Sequence, residues 1–446
     1  MIDIGVRSGN WHGRVWRLAF PIIISNISIP LLGAVDTAVV GHLPDAKYLG
    51  GVAIGAMIMS FVYWGFGFLR MGTTGLTAQA HGAGDADEVR AALARAALIG
   101  FAIGIALMAL QLPIAYAAFS LVEASGEVEQ LARSYFAIRV FGAPGALVGY
   151  AYLGWFLGVQ NARVTLYVQL WMNGLNIALD LLFVLGFGWG VEGVALATVI
   201  SEYAGAAMCL WLAHRMLPGL GGRFRRARIL ARDRLLHTFA FNRDVFLRTI
   251  CLVSAFAYFT AKGAEMGNLV LAANAVLLNF QLFMAHGLDG FAHAVQALAG
   301  GAIGARDRGA FRAAVRVSTL WASVLAVAVT AIYALAGHGI VNLLTGLEDV
   351  RAAAAVYLPW AVVSPIVSIW AFQLDGIFLG ATKGRAMRNA MIVSLMVYLA
   401  LCWVLVPVWG NHGLWLAFMG FMAARGITLW IAYPALYRNI VNHHQY

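Results

Sequence analysis

About twelve runs of mainly apolar residues follow one another along this chain, each long enough to cross a hydrocarbon core of roughly 30 Å. The first shows the pattern: between Arg17 and Asp45 the only charged side chain is Asp36. Lipid offers no partner to a backbone N–H or C=O, so runs of this length can only be helices. Outer-membrane strands would alternate with period two, and these runs do not. Composition agrees, with 62% hydrophobic residues, 11% charged residues and a mean hydropathy of +0.79. The runs centre near Leu31, Ser60, Ile105, Ala146, Leu175, Tyr203, Ser254, Asn279, Leu325, Pro365, Val397 and Phe421. The expected class is an all-α polytopic membrane protein.

The net charge of +10 gathers in every second loop. Arg7, Arg14 and Arg17 precede the first run, Arg90 and Arg95 follow the second, and Arg163 follows the fourth. A dense group from Arg215 to Arg234 follows the sixth, Arg306 to Arg312 the eighth, and Lys383 to Arg388 the tenth, with Arg438 near the end. The alternate loops carry Asp45, Glu123, Glu127, Glu129, Glu348 and Asp349. The positive-inside rule then places both termini in the cytoplasm, across a bacterial-type inner membrane. The basic charge is a topology signal, and no nucleic-acid partner is expected. No cleavable signal peptide stands apart from the first run. Cys209, Cys251 and Cys402 fall in apolar stretches and read as small core residues, with neither a disulfide framework nor metal spacing. No phosphate-binding loop occurs, and Ser and His form no hydrolase signature, so neither ATP drive nor an enzyme is expected.

The chain repeats itself. At a shift of 222 residues Gly41 meets Gly263, Gly82 meets Gly304, Asp85 meets Asp307, and Arg90-Ala91-Ala92 meets Arg312-Ala313-Ala314. Tyr135 meets Tyr357, Phe156-Leu157-Gly158 meets Phe378-Leu379-Gly380, and Arg163 meets Arg385. At a shift of 220, Trp189-Gly190 and Gly193 meet Trp409-Gly410 and Gly413. Each half holds about six runs, an even number, so both halves enter the membrane from the same side as parallel repeats. The expected organisation is an N-terminal lobe over 1–217, a basic cytoplasmic linker over 218–238 and a C-terminal lobe over 239–446. The linker's glycines make it flexible, and its arginines can rest on anionic lipid.

Charged residues that break the repeat are the better site candidates. Asp36 corresponds to Tyr258, Asp180 to Cys402, Asp375 to Leu153 and Asp289 to Gly67. A carboxylate near the middle of a span costs about 2.5–3.5 kcal/mol, so it faces a partner or a wet cavity. Asn173, Asn176 and Asp180 fall on one helix face at spacings i, i+3, i+7. With Asp36 they would form a protonatable cluster, because close carboxylates in a dry site can share a proton near neutral pH. Thr198 could add a hydroxyl, and Glu202, one turn on, is either a third acid or a structural partner. The same polar stripe could instead glue helices together. Asp375 and Asp289 either line a cavity or bond to glycine-kinked backbone. Arg139 and Arg425 are intramembrane cations, and Arg425 is expected to neutralise an acid. Lys262 and Glu265 can snorkel to the interface. Pro21 and Pro30 let the first helix bend beside Asp36.

With these residues in hand, the chain resembles the MATE (multidrug and toxic compound extrusion) family, in its DinF-like branch. The resemblance rests on Leu18-Ala-Phe-Pro21 and Ala34-Val-Asp-Thr-Ala-Val-Val-Gly41, on Gln79-Ala-x-Gly-x-Gly84, and on Asn176-x-x-Leu-Asp180. It rests also on Gly190-Val-Glu-Gly-Val-Ala-Leu-Ala-Thr198 and on Leu374-Asp-Gly-Ile-Phe-Leu-Gly-Ala-Thr382. The family fold is twelve helices in two six-helix lobes forming a V that opens alternately outward and inward. The resemblance implies antiport of organic compounds, often aromatic cations, against H+ or Na+, with small organic molecules and membrane lipids as partners and no further cofactor; the oligomeric state stays open, since a pseudo-symmetric monomer already supplies both lobes. It implies that Asp36 and Asp180 are the coupling carboxylates, with Asn176 and Thr198 as neighbours and a proton-linked bend near Pro21. Other branches hold a cation in the C-terminal lobe; here the seventh helix offers Tyr258 and Lys262 in place of a buried acid. A lipid-linked or organic-acid substrate is the nearest alternative, and a non-transporting receptor or scaffold the alternative from another class.

Overall fold

The computed structural model describes residues 10–41, 43, 45–122 and 125–442. Arg7 and Glu123, which contribute to the charge pattern, lie outside them. The described chain is helical throughout, with no strand. Six long helices belong to the first half: α1 Trp11–Gly41, α2 Ala46–Gly82, α3 Ala86–Ala109, α4 Gly126–Gly158, α5 Ala162–Gly186 and α6 Gly190–Leu220. The second half continues with α7 Arg232–Glu265, α8 Asn268–Gly304, α9 Arg308–Leu344 and α10 Glu348–Gly380. The last continuous segment is two helices, α11 over 384–409 and α12 over 411–442, divided at Gly410, whose φ of 54° no helix contains. Twelve crossings result among the described residues. Large apolar side chains such as Leu112, Leu335 and Trp403 stand outward, as lipid-facing residues should.

The repeat is written into the backbone as well as the residues. Gly84 and Arg306, at equivalent positions, both take positive φ (71° and 57°), as do Gln160 and Thr382 (60° and 53°). Gly190 and Gly410 share it at 59° and 54°. Asp85 caps α3 by accepting from the Glu88 N–H, and Asp307 caps α9 by accepting from the Ala310 N–H, at 3.0 and 2.9 Å. One close helix crossing occurs twice. A Cβ on Gly154 would strike the Arg70 carbonyl, and one on Gly376 would strike the Ala292 carbonyl. Both crossings need a residue without a side chain, because backbone meets backbone there.

Two compact units divide the chain, one running Ile24–Thr238 and the other joining α1 up to Ile23 with the chain from Phe239 onward. α1 holds the boundary between the two units, between Ile23 and Ile24. Its opening turns carry Trp16, whose ring meets Phe291 and Trp321 edge-on at 5.3 and 5.2 Å. The Trp321 Nε1–H donates to His12 Nδ1 at 3.0 Å. α1 runs as a single helix through Pro21 and Pro30.

The linker is docked rather than loose. Arg90 donates from Nε to the Gly221 carbonyl and from Nη2 to the Leu217 carbonyl, at 2.7 and 2.6 Å. Arg225 pairs with Asp87 at 2.6 Å, and Arg228 reaches both oxygens of Asp85 at 2.7 and 2.6 Å. Arg95 bonds to Glu88 and donates to the Arg228 carbonyl. Burial works against a charged Asp85, but the Arg228 guanidinium and the Glu88 N–H outweigh it and hold the carboxyl below the usual carboxylate range.

Candidate functional site

α5 carries its polar stripe to the point where its helical winding changes. Asn173, Asn176 and Asp180 are all buried, and the turns after Asp180, Leu181–Gly186, widen into a π-helix. Such wide turns re-aim the side chains beside them and often mark functional positions. Asp36 of α1 and Asp180 lie with their carboxyls within hydrogen-bonding reach of each other. The Oδ1 atom of each is buried and meets no hydrogen-bond partner among the described residues. In the amide orientation that suits both its neighbours, Asn176 donates from Nδ2 to Asp180 Oδ2 at 3.3 Å. Its oxygen then accepts from the Thr198 N–H at 3.2 Å. The Thr198 hydroxyl donates to the Val194 carbonyl one turn earlier on α6, at 2.9 Å. Two carboxyls this close need a proton or a cation between them, and the neutral amide of Asn176 cannot supply the charge.

Asn173 stands apart from that centre. It accepts from the Gln169 side chain at 2.9 Å and donates to Ser28 Oγ at 3.0 Å, so it ties α5 to α1 one turn and more away from Asp180. Glu202 is not a free acid beside the pair. Arg139 of α4 holds it bidentately, Nη1 to Oε2 at 2.8 Å and Nη2 to Oε1 at 3.0 Å, with both side chains about nine-tenths buried. The Tyr63 ring lies 5.5 Å from that guanidinium, and the buried Tyr135 sits one turn before Arg139 on the same helix. Arg139 is near enough to Asp36 to act on it electrostatically.

The second half spends its acids differently. Asp375 of α10 is buried between two arginines, Arg248 of α7 and Arg425 of α12, which both reach Oδ2, at 2.5 and 2.8 Å. Asp289 acts on Arg425 from α8. Asp375 thus lines no open carboxylate site, and Arg425 does neutralise an acid. Tyr258, the counterpart of Asp36, meets the buried Tyr398 edge-on at 5.9 Å. Tyr398 is in turn the counterpart of Asn176 and sits one turn before Cys402, the counterpart of Asp180. Where the first half places two carboxyls and an amide, the second places phenol, thiol and phenol. Lys262 pairs with Glu265 at 2.7 Å.

Arg248 and the partnering of Arg139 with Glu202 escape a reading of the sequence. An arginine six residues before the centre of a run looks like a snorkelling flank. Only the i, i+4 spacing of Tyr135 and Arg139 hints at a polar face on α4. The buried set of Asn274, Asn411 and Trp415, in which both Asn411 Nδ2 and Trp415 Nε1 donate to Asn274 Oδ1 at 2.9 Å, has no motif at all.

The family profile MatE matches two segments, 21–182 and 245–404, one in each half. DNA damage-inducible protein F of Escherichia coli (strain K12) is 41% identical over 425 residues, covering 95% of this chain and 92% of that protein. A protein of Geobacillus kaustophilus named probable multidrug resistance protein NorM is 26% identical, with 97% and 96% covered. Among solved structures, a MOP superfamily transporter from Pyrococcus furiosus superposes with a TM-score of 0.86 at 18% identity, covering 100% of this chain and 99% of that one. That likeness shows the shared fold of two pseudo-symmetric six-helix lobes. The protein is a transporter rather than an enzyme, and it belongs to the MatE family.

Proposed function

We propose that this protein is a secondary antiporter of the inner membrane, with both termini in the cytoplasm, that exports hydrophobic organic compounds, mostly cations, in exchange for H+. Na+ is the alternative coupling ion. The observation that carries the reading is the contact of Asp36 with Asp180. Each acid leaves one oxygen unpaired, and neither has a direct cationic partner among the described residues. A proton arriving from outside joins the two carboxyls. Its loss returns a negative site that attracts a cationic substrate from the cytoplasmic side. The membrane potential adds about 2.3 kcal/mol per inward charge per 100 mV. The names of the relatives, among them multidrug resistance protein NorM, support efflux of foreign organic compounds. Asn176 and Thr198 hold Asp180 in place, and the prolines of α1 offer the bend through which loading of Asp36 reaches the rest of the lobe.

A lipid-linked pyrophosphate substrate would call for free buried cations. The buried arginines Arg248 and Arg425 both end on Asp375, with Asp289 acting on Arg425 as well, and Arg139 ends on Glu202, so each arginine already meets an acid of its own chain. The test is purified protein in proteoliposomes, with H+ and Na+ gradients imposed in turn and uptake of cationic and anionic dyes followed. Wild type should move ethidium against an H+ gradient. Asp36→Asn should fold, bind dye and lose at least about tenfold of the gradient-driven flux, as expected when the coupling carboxylate is removed. Normal pH-gradient-driven transport by that variant would sink the mechanism.

A further inference from the structure

Buried ion pairs are weak sources of stability, because desolvating both charges offsets most of their attraction. The Arg139–Glu202 pair therefore needs another reason to exist, and the repeat sharpens the point. The counterpart of Arg139 is Ala361 and that of Glu202, at the shift of 220 that holds from Trp189 onward, is Met422, so the second half builds the equivalent helices with two uncharged side chains. Room has been made for the pair: a Cβ on Gly142 would run into the Glu202 carboxylate and lie 3.1 Å from Arg139 Nη1, and the equivalent position holds Ser364. The pair is thus absent from the shared scaffold, as Asp36 and Asp180 are, and lies within electrostatic reach of Asp36.

We infer that Arg139 and Glu202 are positioning residues for proton exchange: Glu202 holds the guanidinium near Asp36 but not on it, and so sets the pH at which the acid pair loads and releases. This rests on the coupling role proposed for Asp36 and Asp180. The geometry gives the reason. A bidentate fork fixes both ends of the guanidinium, with the buried Tyr135 one turn below on the same helix. A cation that rotated onto Asp36 would replace the proton as its partner and uncouple transport. A cation held one carboxylate away lends the acid pair only the residual field of a neutral couple. The titratable and charged groups around this centre are Asp180 on α5, Tyr135, Arg139 and Tyr150 on α4, Tyr63 and Arg70 on α2 and Glu202 on α6. Of these, Glu202 alone opposes the charge of Arg139 directly.

The test is the pH midpoint of ethidium–H+ exchange in proteoliposomes, measured for wild type and four variants. Glu202→Gln leaves Arg139 uncompensated and favours ionised Asp36, so the midpoint should move toward acid by about one pH unit, the size expected for one charge at this range. Arg139→Gln leaves the Glu202 anion and should move it the other way by a similar amount. The double variant removes a neutral couple and should return close to wild type, while Arg139→Lys, which keeps the charge, should shift least among the single variants. Either single variant decides alone if the other does not accumulate. A merely structural pair would lower protein yield or flux without moving the midpoint, and that result overturns the inference. Asp36→Asn is run beside them. If it exchanges normally, the coupling reading fails; if it is inactive while the Glu202→Gln and Arg139→Gln midpoints stay at the wild-type value, only the present inference fails.

Discussion

The two halves share turns, caps and glycine crossings but part company over charge. At three equivalent positions the first half sets Asp36 against Asp180 and Asn176, and the second holds Tyr258, Cys402 and Tyr398. The second half has its own buried acid, Asp375, but gives it two arginines. The first half's pair lacks the proton or cation that would join it, whereas the second half's Asp375 has two arginines, with Asp289 acting on one of them as a second acid. A duplicated scaffold can thus leave buried acids without a cationic partner in one copy and pair them with arginines in the other. The difference teaches that burial of an aspartate does not by itself mark a candidate site; the company it keeps does.

The comparison breaks most visibly if both acids are neutralised. Asp375→Asn leaves two buried guanidiniums sharing one lost partner, and breaking a buried pair of this kind costs about 3–5 kcal/mol. Sharply reduced accumulation and a lower melting midpoint in detergent are expected. Asp36→Asn removes one of two like charges, so its melting midpoint should equal or exceed that of wild type while coupled flux is lost. Fluorescence-detected melting of the two variants side by side reads this directly. An Asp375→Asn protein as stable as wild type would mean that Asp289 or another group carries the arginines.

A smaller effect tests the shared part. Gly154→Ala and Gly376→Ala each push a methyl into a backbone carbonyl, of Arg70 and of Ala292. Overpacking of this sort costs about 1–3 kcal/mol. The two variants should lose similar stability, whatever each does to transport. Widely different losses would show that the two crossings are not equivalent.

The scaffold is legible in the sequence because its determinants are local. Run length sets the twelve crossings, and Gly84 with Arg306, or Gln160 with Thr382, mark the same turn twice. The candidate site is legible only in part. Asp36 shows itself as a lone charge, and Asp180 through its asparagine stripe, but their contact depends on how α1 and α5 pack. Asn173 shares that stripe and yet turns to Ser28, because seven residues span two turns and one face can serve two neighbours. Glu202 and Arg139 lie 63 positions apart, and Arg248 and Asp375 lie 127 apart. Nothing in either segment names its partner. The linker's glycines suggest a loose chain, whereas Asp85, Asp87 and Arg90, in the turn after α2 and the first turn of α3, bind it down.

The smallest effect belongs to that docked linker, which has no counterpart in the second half. Asp85→Asn keeps a side-chain oxygen for the α3 cap but loses the charge that Arg228 grips. Because both partners are more than a third exposed, solvent screens the pair, and the loss at neutral pH should stay below about 1 kcal/mol. The sign follows from the depressed carboxyl of the folded protein. Its contribution is fully present above the unfolded carboxylate value of about 3.9 and disappears as the pH falls through the lower folded value. Melting of wild type and variant should therefore differ slightly at pH 7 and in low salt, and converge both in molar salt and as the pH falls below about 3.9. The equivalent change at Asp307, which caps α9 and has no ion pair among the described residues, should show no such convergence, since an uncharged asparagine cap replaces it nearly like for like. A salt- and pH-independent loss at Asp85 would mean that the cap, rather than the grip of Arg228, is what the linker contributes.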